Sequence, residues 1–182
     1  AFGLTQLLGI PESLSIPLFR KFSPHFGRQE SFQVIRSRIL GRQIRDLAPT
    51  LTVKILLSKN PTGFNVNLKL VSVIFEPGDR LLLALNDGIA DGRDVSWIYD
   101  VDFEDFLKLF EESVYVSGSR AFDLALRLKY AGLKKEPRVS KNTKIILKEF
   151  FKEENKRGVL YILPTYPAML GLRKVLLGRR IS

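Results

Sequence analysis

Arg80-Leu81-Leu82-Leu83-Ala84-Leu85-Asn86-Asp87-Gly88-Ile89-Ala90-Asp91-Gly92-Arg93-Asp94 is the stretch on which the fold turns. After Arg80 come five apolar side chains in a row. A strand wetted on one face alternates apolar and polar residues, so an unbroken apolar run is the pattern of a strand covered on both faces. The chain then becomes polar at once, with Asp87, Asp91 and Asp94 set around Gly88 and Gly92. A buried strand that ends in a glycine-punctuated acidic loop is how α/β proteins present side chains to a ligand.

Outward from this stretch, the pattern repeats. Leu51–Leu57 reads as another apolar strand. Phe64, Leu68, Val71 and Phe75 follow at helical spacing, and Pro77-Gly78-Asp79 is a turn. On the other side, Phe103, Phe106, Leu107 and Phe110 mark a short helix. Ser113–Ser117 is a strand, Ser119 is placed to cap a helix over Arg120–Ala131, and Gly132 stops it. Lys141–Glu154 reads as a helix capped near Ser140, Gly158–Leu163 as a strand, and Thr165 as the cap of a last helix with Pro167 in its first turn. Residues 1–22 read as short helices, the second interrupted or confined by Pro17. Ser31–Asp46 reads as a β-hairpin with Gly41 near its turn. Strands alternating with amphipathic helices specify an α/β fold: a three-layer, Rossmann-like, mostly parallel sheet.

Composition narrows the chemistry. The chain has 182 residues, 45% of them apolar, enough for one domain with a real core. Twenty-nine Lys and Arg against nineteen Asp and Glu give a net charge of +10, which suits an anionic partner or simply a solvated surface. Cys is absent, which excludes disulfides, thiolate zinc sites and cysteine nucleophiles and fits a reducing compartment. His25 is the sole histidine, so no multi-histidine metal site can form. It reads as a packed turn residue.

Three segments leave the carboxyl ends of the expected strands. Lys59-Asn60-Pro61-Thr62-Gly63-Phe64-Asn65 opens a helix whose free amides can face an anion, or is an ordinary capped connection. Asn86–Asp102 gathers five Asp and the sole Trp. Its carboxylates can bind Mg²⁺, hold an amine or orient a base, or else serve as turn and cap residues. The spacing is not that of an EF-hand. Leu163-Pro164-Thr165-Tyr166 adds a hydroxyl and a phenol, either to the same cleft or as a helix cap. No G-x-x-x-x-G-K-[ST] and no G-x-G-x-x-G occurs, so the chain lacks both common nucleotide cradles.

These segments, with Phe26-Gly27-Arg28-Gln29-Glu30, Ser117-Gly118-Ser119-Arg120-Ala121 and Arg127-Leu128-Lys129-Tyr130-Ala131-Gly132, resemble the C-terminal half of the MurT family. The acidic segment Ala-Asp-Gly-Arg-Asp-Val-Ser-Trp is the most specific part. MurT is the Mur-ligase-like subunit of lipid II isoglutaminyl synthase. The resemblance implies a Mur ligase C-terminal fold over residues 31–182. It also implies that residues 1–30 close a preceding central domain, a reading to which the initial Ala adds the expectation of an upstream start. It implies an ATP- and Mg²⁺-dependent ligase that activates the D-glutamate α-carboxylate of lipid II, with ammonia from a GatD-like glutaminase, in the cytoplasm at the inner membrane face. The nucleotide loop and a four-cysteine zinc ribbon would belong to the central domain, leaving no zinc site and no nucleic-acid partner here.

By the same resemblance Arg28 lies near the nucleotide, Asn60 faces the cleft, and a required carboxylate comes from Asp87 or Asp91, with Asp91 favoured. Lys59, Asn65, Asp94, Thr165 and Tyr166 are further candidates for nucleotide or substrate contact. The chain departs from the family at Gly88-Ile89 and at Thr165-Tyr166-Pro167, where Thr-Tyr-Thr is usual. Two other classes remain open on the residues alone: a basic, non-catalytic α/β interaction domain, and a Mur-type ligase acting on another substrate.

Overall fold

The structure is a computed structural model that describes residues 2–21, 29–35, 39–40, 50–89, 92–110, 114–152 and 158–178. Its helices are α1 (Phe2–Leu7), α2 (Glu12–Lys21), α3 (Pro61–Ile74), α4 (Phe103–Phe106), α5 (Ala121–Tyr130), α6 (Thr143–Lys152) and α7 (Tyr166–Leu177). Its strands are β1 (Glu30–Ile35), β2 (Thr50–Ile55), β3 (Arg80–Ala84), β4 (Val114–Ser117), β5 (Arg138–Ser140) and β6 (Val159–Pro164). Short 3₁₀ turns cover Ser96–Asp100 and Leu107–Leu109.

The strands form one sheet in the order β1-β2-β6-β3-β4-β5. All neighbours are parallel except β1, which runs antiparallel to β2 from Glu30 opposite Ile55 to Ile35 opposite Thr50. The three layers follow from the pleat. Leu81, Leu83 and Leu85 point into one core with Phe64, Leu68 and Val71 of α3 and Leu124 and Leu128 of α5. Leu82 and Ala84 point into the other, with Ile146 and Phe150 of α6 and Met169 and Leu172 of α7. The apolar run thus has period-two contacts with two different cores, which is why no polar residue interrupts it. The expected α/β, mostly parallel, three-layer architecture is the one observed.

Local expectations differ in places. Gln33 and Val34 pair with Thr52 and Leu51, so the start of Ser31–Asp46 is a strand joined to β2, while residues 36–38 and 41–46, with Gly41 and most of the expected second arm, lie outside the described residues. Pro17 sits inside α2, which continues through it. Strand β5 was not expected: three residues beside Pro137 are too few to carry a periodic signal, and its pairing with β4 is what makes it a strand. Phe75 ends α3 instead of extending it, and its ring meets Phe110 edge-on at 4.7 Å. Glu30 is ion-paired to Arg173 of α7, tying the entry of β1 to the last helix.

Candidate functional site

The position of β6 creates the site. Helix α3 after β2 and the 3₁₀ turn and α4 after β3 pack on one face of the sheet, while α7 after β6 packs on the other. Because β6 lies between β2 and β3, neighbouring chain exits diverge at its carboxyl end. A crevice opens where exits diverge, and ligands bind there in open α/β sheets. The loops after β2, β3 and β6 meet at this point. Ser58 N donates to Pro164 O at 2.8 Å, and Thr165 N donates to Ala84 O at 2.9 Å.

Thr165 stands at the N-cap position of α7, yet its hydroxyl makes no cap bond. It accepts from Asn86 N at 3.1 Å and is fully buried. The side chain therefore fixes the start of the acidic loop and presents no group to solvent. Thr165→Val should leave the Asn86 amide without its acceptor and lower stability by about 1–3 kcal/mol. Thr165→Ser should restore most of this loss in urea unfolding.

Asp87 is the hub of the described acidic residues. Ser119 Oγ donates to Asp87 Oδ1 at 2.5 Å and accepts from Asp87 N at 3.1 Å. Arg120 Nη1 lies 3.4 Å from Asp87 Oδ2, and the same guanidinium forks onto Asp123 at 2.8 and 2.9 Å. The Ser119 hydroxyl first, then the Asp87 amide and the Arg120 guanidinium, hold the Asp87 carboxyl below the usual carboxylate range. It is thus an anion at neutral pH, exposed at the crevice and held in one orientation. Ser119 serves this bond instead of capping α5, whose first turn begins at Ala121 after Arg120.

The turn before α5 is pressed into the end of β3. Arg120 N donates to Leu85 O at 3.1 Å, and Ser119 N donates to Asn86 Oδ1 at 2.8 Å. Gly118, with φ +106°, permits this approach, because a Cβ there would sit 2.1 Å from Leu85 O.

The other candidates divide. Asn60 caps α3 by accepting from Gly63 N at 2.8 Å, and Lys59 beside it is exposed. Asn65 is engaged away from the crevice: its amide donates to Asp102 Oδ2 at 2.6 Å and its Oδ1 accepts from Asp102 N at 3.0 Å. This clasp binds the end of the acidic stretch to α3. Asp94 accepts from Ser96 N at 2.8 Å, which lowers its pKa and starts the 3₁₀ turn. Tyr166 is half-buried against the second core. Arg28, His25 and Asp91 lie outside the described residues.

A cleft of about 280 Å³, lined by Arg93, Ser96, Tyr99, Arg120 and Asp123, connects to Asp87 through the Arg120 guanidinium. Sequence reasoning missed Ser119 and Arg120 as partners of Asp87. It also missed the buried pair of Ser58 and Asn67, whose Nδ2 donates to Ser58 Oγ at 2.9 Å and to Leu57 O at 3.0 Å, shaping the loop after β2. A buried Asn in an apolar helix face was the only sequence signal for it. Among the described residues no group of three or more His, Cys, Asp or Glu is placed to hold a metal ion. No helix among them is long and apolar enough to cross a membrane.

Comparison with known proteins bears on this geometry. Residues 57–169 match the MurT ligase C-terminal family. Over 169 residues the chain is 32% identical to the lipid II isoglutaminyl synthase (glutamine-hydrolyzing) subunit MurT of Staphylococcus aureus strain COL, covering 93% of this chain and 35% of that protein. Over 182 residues it is 32% identical to the subunit of the same name from Streptococcus pneumoniae strain ATCC BAA-255 / R6, covering 100% of this chain and 37% of that protein. The chain thus spans little more than a third of the length of these curated relatives. Two solved folylpolyglutamate synthases superpose more loosely. That of Mycobacterium tuberculosis, complexed with ADP and AMPPCP, gives a TM-score of 0.49 at 19% identity over 88% of this chain and 34% of that one. That of Thermotoga maritima gives 0.48 at 16% over 95% and 36%. The fold assignment rests on the sheet itself and not on these two. With its sequence match running from the loop after β2 into α7, the chain belongs to the MurT family and carries its C-terminal ligase domain.

Proposed function

We propose that this chain is the C-terminal wall of an ATP-dependent carbon–nitrogen ligase that amidates the D-glutamate α-carboxylate of lipid II to isoglutamine. Ammonia comes from a GatD-like glutaminase subunit, and the product enters peptidoglycan. The names of the relatives support this reading. The observation that carries it is Asp87, an oriented anion at the carboxyl end of β3, beside the crevice around β6. On this reading residues 31–182 form the ligase domain and residues 1–30 end the preceding central domain. The reaction takes place in the cytoplasm at the inner membrane face, and the basic surface faces the anionic substrate and lipid.

The residues present do not make a nucleotide or Mg²⁺ site by themselves. The sequence holds neither common phosphate loop, and the described carboxylates do not cluster as ligands. ATP and Mg²⁺ are therefore assigned mainly to the central domain, with Arg28, Lys59, Asn60 and Tyr166 as contacts from this side. What Asp87 can do follows from its environment. A carboxylate with a lowered pKa is a weak base but a strong electrostatic anchor. It is suited to hold an ammonium, or the ammonia formed from it, in line with the activated carbonyl. Asp91, four residues further on, remains the other candidate for the required carboxylate.

The test uses the full-length ligase subunit with its glutaminase and follows amidation of lipid II. Asp87→Asn keeps the shape and a hydrogen bond to Ser119 but removes the charge. It is expected to lower kcat by about 100-fold or more with the thermal midpoint little changed. An unchanged rate would transfer the role to Asp91 or away from this loop. Amidation driven by a free amino acid instead of ammonia would indicate a Mur-type ligase of another specificity.

A further inference from the structure

The two helical layers differ in charge. Helices α6 and α7, packed on the second core, carry five Lys and Arg against one acid, Glu149. The helical elements on the other core, α3, α4, α5 and the two 3₁₀ turns, carry four Lys and Arg against four Asp and Glu. Part of the net charge of +10 is therefore gathered on one side of the sheet. Helix α6 holds its share in a line. Lys144, Lys148 and Lys152 follow at i, i+4 and i+8, while Ile146, Leu147, Phe150 and Phe151 turn into the core. Lys174 is exposed on α7, and Arg173 is taken up by Glu30. Among the described residues none of these four Lys is in an ion pair.

What this face lacks narrows its occupant. Ile145, 48% exposed beside Lys144, is the one large apolar side chain that α6 and α7 leave exposed. A stable protein partner needs a buried apolar centre with large anchors. A nucleic-acid strand held by stacking needs exposed rings. Neither is present on these two helices. A layer of anionic lipid headgroups needs only a stripe of cations, and a lone aliphatic side chain can rest at the headgroup boundary. The stripe also begins at the site end of the sheet. Thr143 Oγ1 accepts from Ser117 Oγ at 3.2 Å, and Ser117 closes β4 two residues before Ser119, the partner of Asp87. Lys144 follows Thr143, so a membrane against α6 borders the end where the crevice opens.

We propose that the α6–α7 face is an electrostatic docking surface for an anionic lipid bilayer, with Lys144, Lys148, Lys152 and Lys174 against the headgroups. The proposal rests on the functional reading above and adds the surface. A lipid-linked substrate must be met at the membrane, and no helix among the described residues is long and apolar enough to cross one. Each Lys near an anionic leaflet strengthens binding about five-fold. Such binding is reversible and weakens with salt, because charges are screened over about 10 Å at 0.1 M. Charges on the opposite layer, across the sheet, contribute little for the same reason.

The experiment uses the full-length ligase subunit with its glutaminase and measures partition onto vesicles of phosphatidylcholine with phosphatidylglycerol, against phosphatidylcholine alone. Lys144→Glu with Lys148→Glu reverses two charges of the stripe, and Lys144→Gln with Lys148→Gln removes them more gently. Lys69→Glu with Lys108→Glu, exposed on the other layer, is the control of equal charge. The unaltered complex should bind the anionic vesicles and not the neutral ones. The Gln variant should weaken that partition by about 25-fold and the Glu variant by about 100-fold or more. The control should stay within about three-fold. Amidation of lipid II in the anionic vesicles should fall with the partition, while amidation of a soluble short-chain analogue should stay within about two-fold. No preference of the unaltered complex for anionic vesicles overturns the proposal, as does an unchanged partition in both α6 variants. So does an equal loss in the control, or a duplex nucleic acid or acidic protein that displaces the vesicles by binding this face more tightly. If the unaltered complex amidates neither form of the substrate, the functional reading falls, while the partition data still decide the surface. If it amidates both and the α6 variants partition normally, only the surface is wrong.

Discussion

Gly118→Ala is expected to lower the stability of the chain by about 3 kcal/mol or more and to dismantle the Asp87 hub in the same step. Gly118 has φ +106°, where an L side chain is strained by about 1–3 kcal/mol. A Cβ would also stand 2.1 Å from Leu85 O and 2.6 Å from Asn86 Oδ1. Leu85 is backbone at the end of a buried strand, so it cannot yield as a flexible side chain would. The turn must retreat, and two hydrogen bonds go with it, from Arg120 N to Leu85 O and from Ser119 N to Asn86 Oδ1. Each is worth about 1 kcal/mol. Ser119 then leaves Asp87, so the charge at the crevice loses its orientation. Thermal unfolding should show a midpoint lower by about 6–12 °C for a chain of this size. Gly171→Ala on the open face of α7, where no atom lies within 4 Å of the added Cβ, is the matched control. It should be neutral or stabilise by up to about 1 kcal/mol.

The second large effect belongs to Arg127. Its side chain is only 5% exposed, an unusual place for a guanidinium. Nε donates to Ile98 O at 3.2 Å, Nη2 donates to Val101 O at 2.8 Å, and Glu104 receives the fork at 2.7 and 2.9 Å. The guanidinium carbon lies 5.5 Å from the Tyr99 ring centre and 5.4 Å from that of Phe103. One side chain on α5 thus holds the 3₁₀ turn and α4, the segment that follows the acidic loop. Arg127→Leu fills the space but removes two charge-assisted hydrogen bonds, at about 1.5–3 kcal/mol each, and leaves the Ile98 and Val101 carbonyls with only the Val101 and Phe103 amides as donors. A loss of about 3 kcal/mol is expected in urea unfolding. Arg127→Lys should recover only part, since an ammonium cannot span both carbonyls and the carboxylate.

The same pair sets a pH dependence. Its hydrogen bond with Arg127, above all, lowers the Glu104 pKa. A lowered folded pKa means that the folded state binds the proton less well than the unfolded chain, so stability falls as pH falls. The contribution is fully present above the unfolded carboxylate pKa, about 4.3. It is lost as pH descends through the lower folded value. The gap between the original chain and Arg127→Leu should narrow over that interval and be constant at neutral pH.

Much of the fold was legible because burial dictates residue type locally. Leu81–Leu85 could belong only to a strand covered on both sides, and Phe64, Leu68 and Val71 could face only one way on a helix. What failed was pairing and partnership. Nothing within Ser31–Asp46 says that its first strand pairs with Thr50–Ile55, since register is chosen by the partner strand. Ser119 looked like a cap because Ser before a helix usually is one. Its hydroxyl instead meets Asp87, 32 residues earlier in the chain, and that contact exists only because β3 and β4 are neighbours. Thr165 misled in the same way, its acceptor role going to an amide 79 residues away.

By itself, then, the sequence determined the layers, the parallel sheet, the acidic loop after the central strand and the family to which the chain belongs. These depend on periodicity and on runs of adjacent residues, which a linear reading contains. The tertiary structure alone decided that Asp87 is clamped by Ser119 and Arg120 and that Asn65 is spent on Asp102. It alone decided that Thr165 is buried and that Phe122, Leu126 and Tyr130 are left outside. Each of those facts depends on which strands and helices lie side by side. Hydrogen bonding and burial act across space and not along the chain, so their outcome appears only when the sheet is assembled.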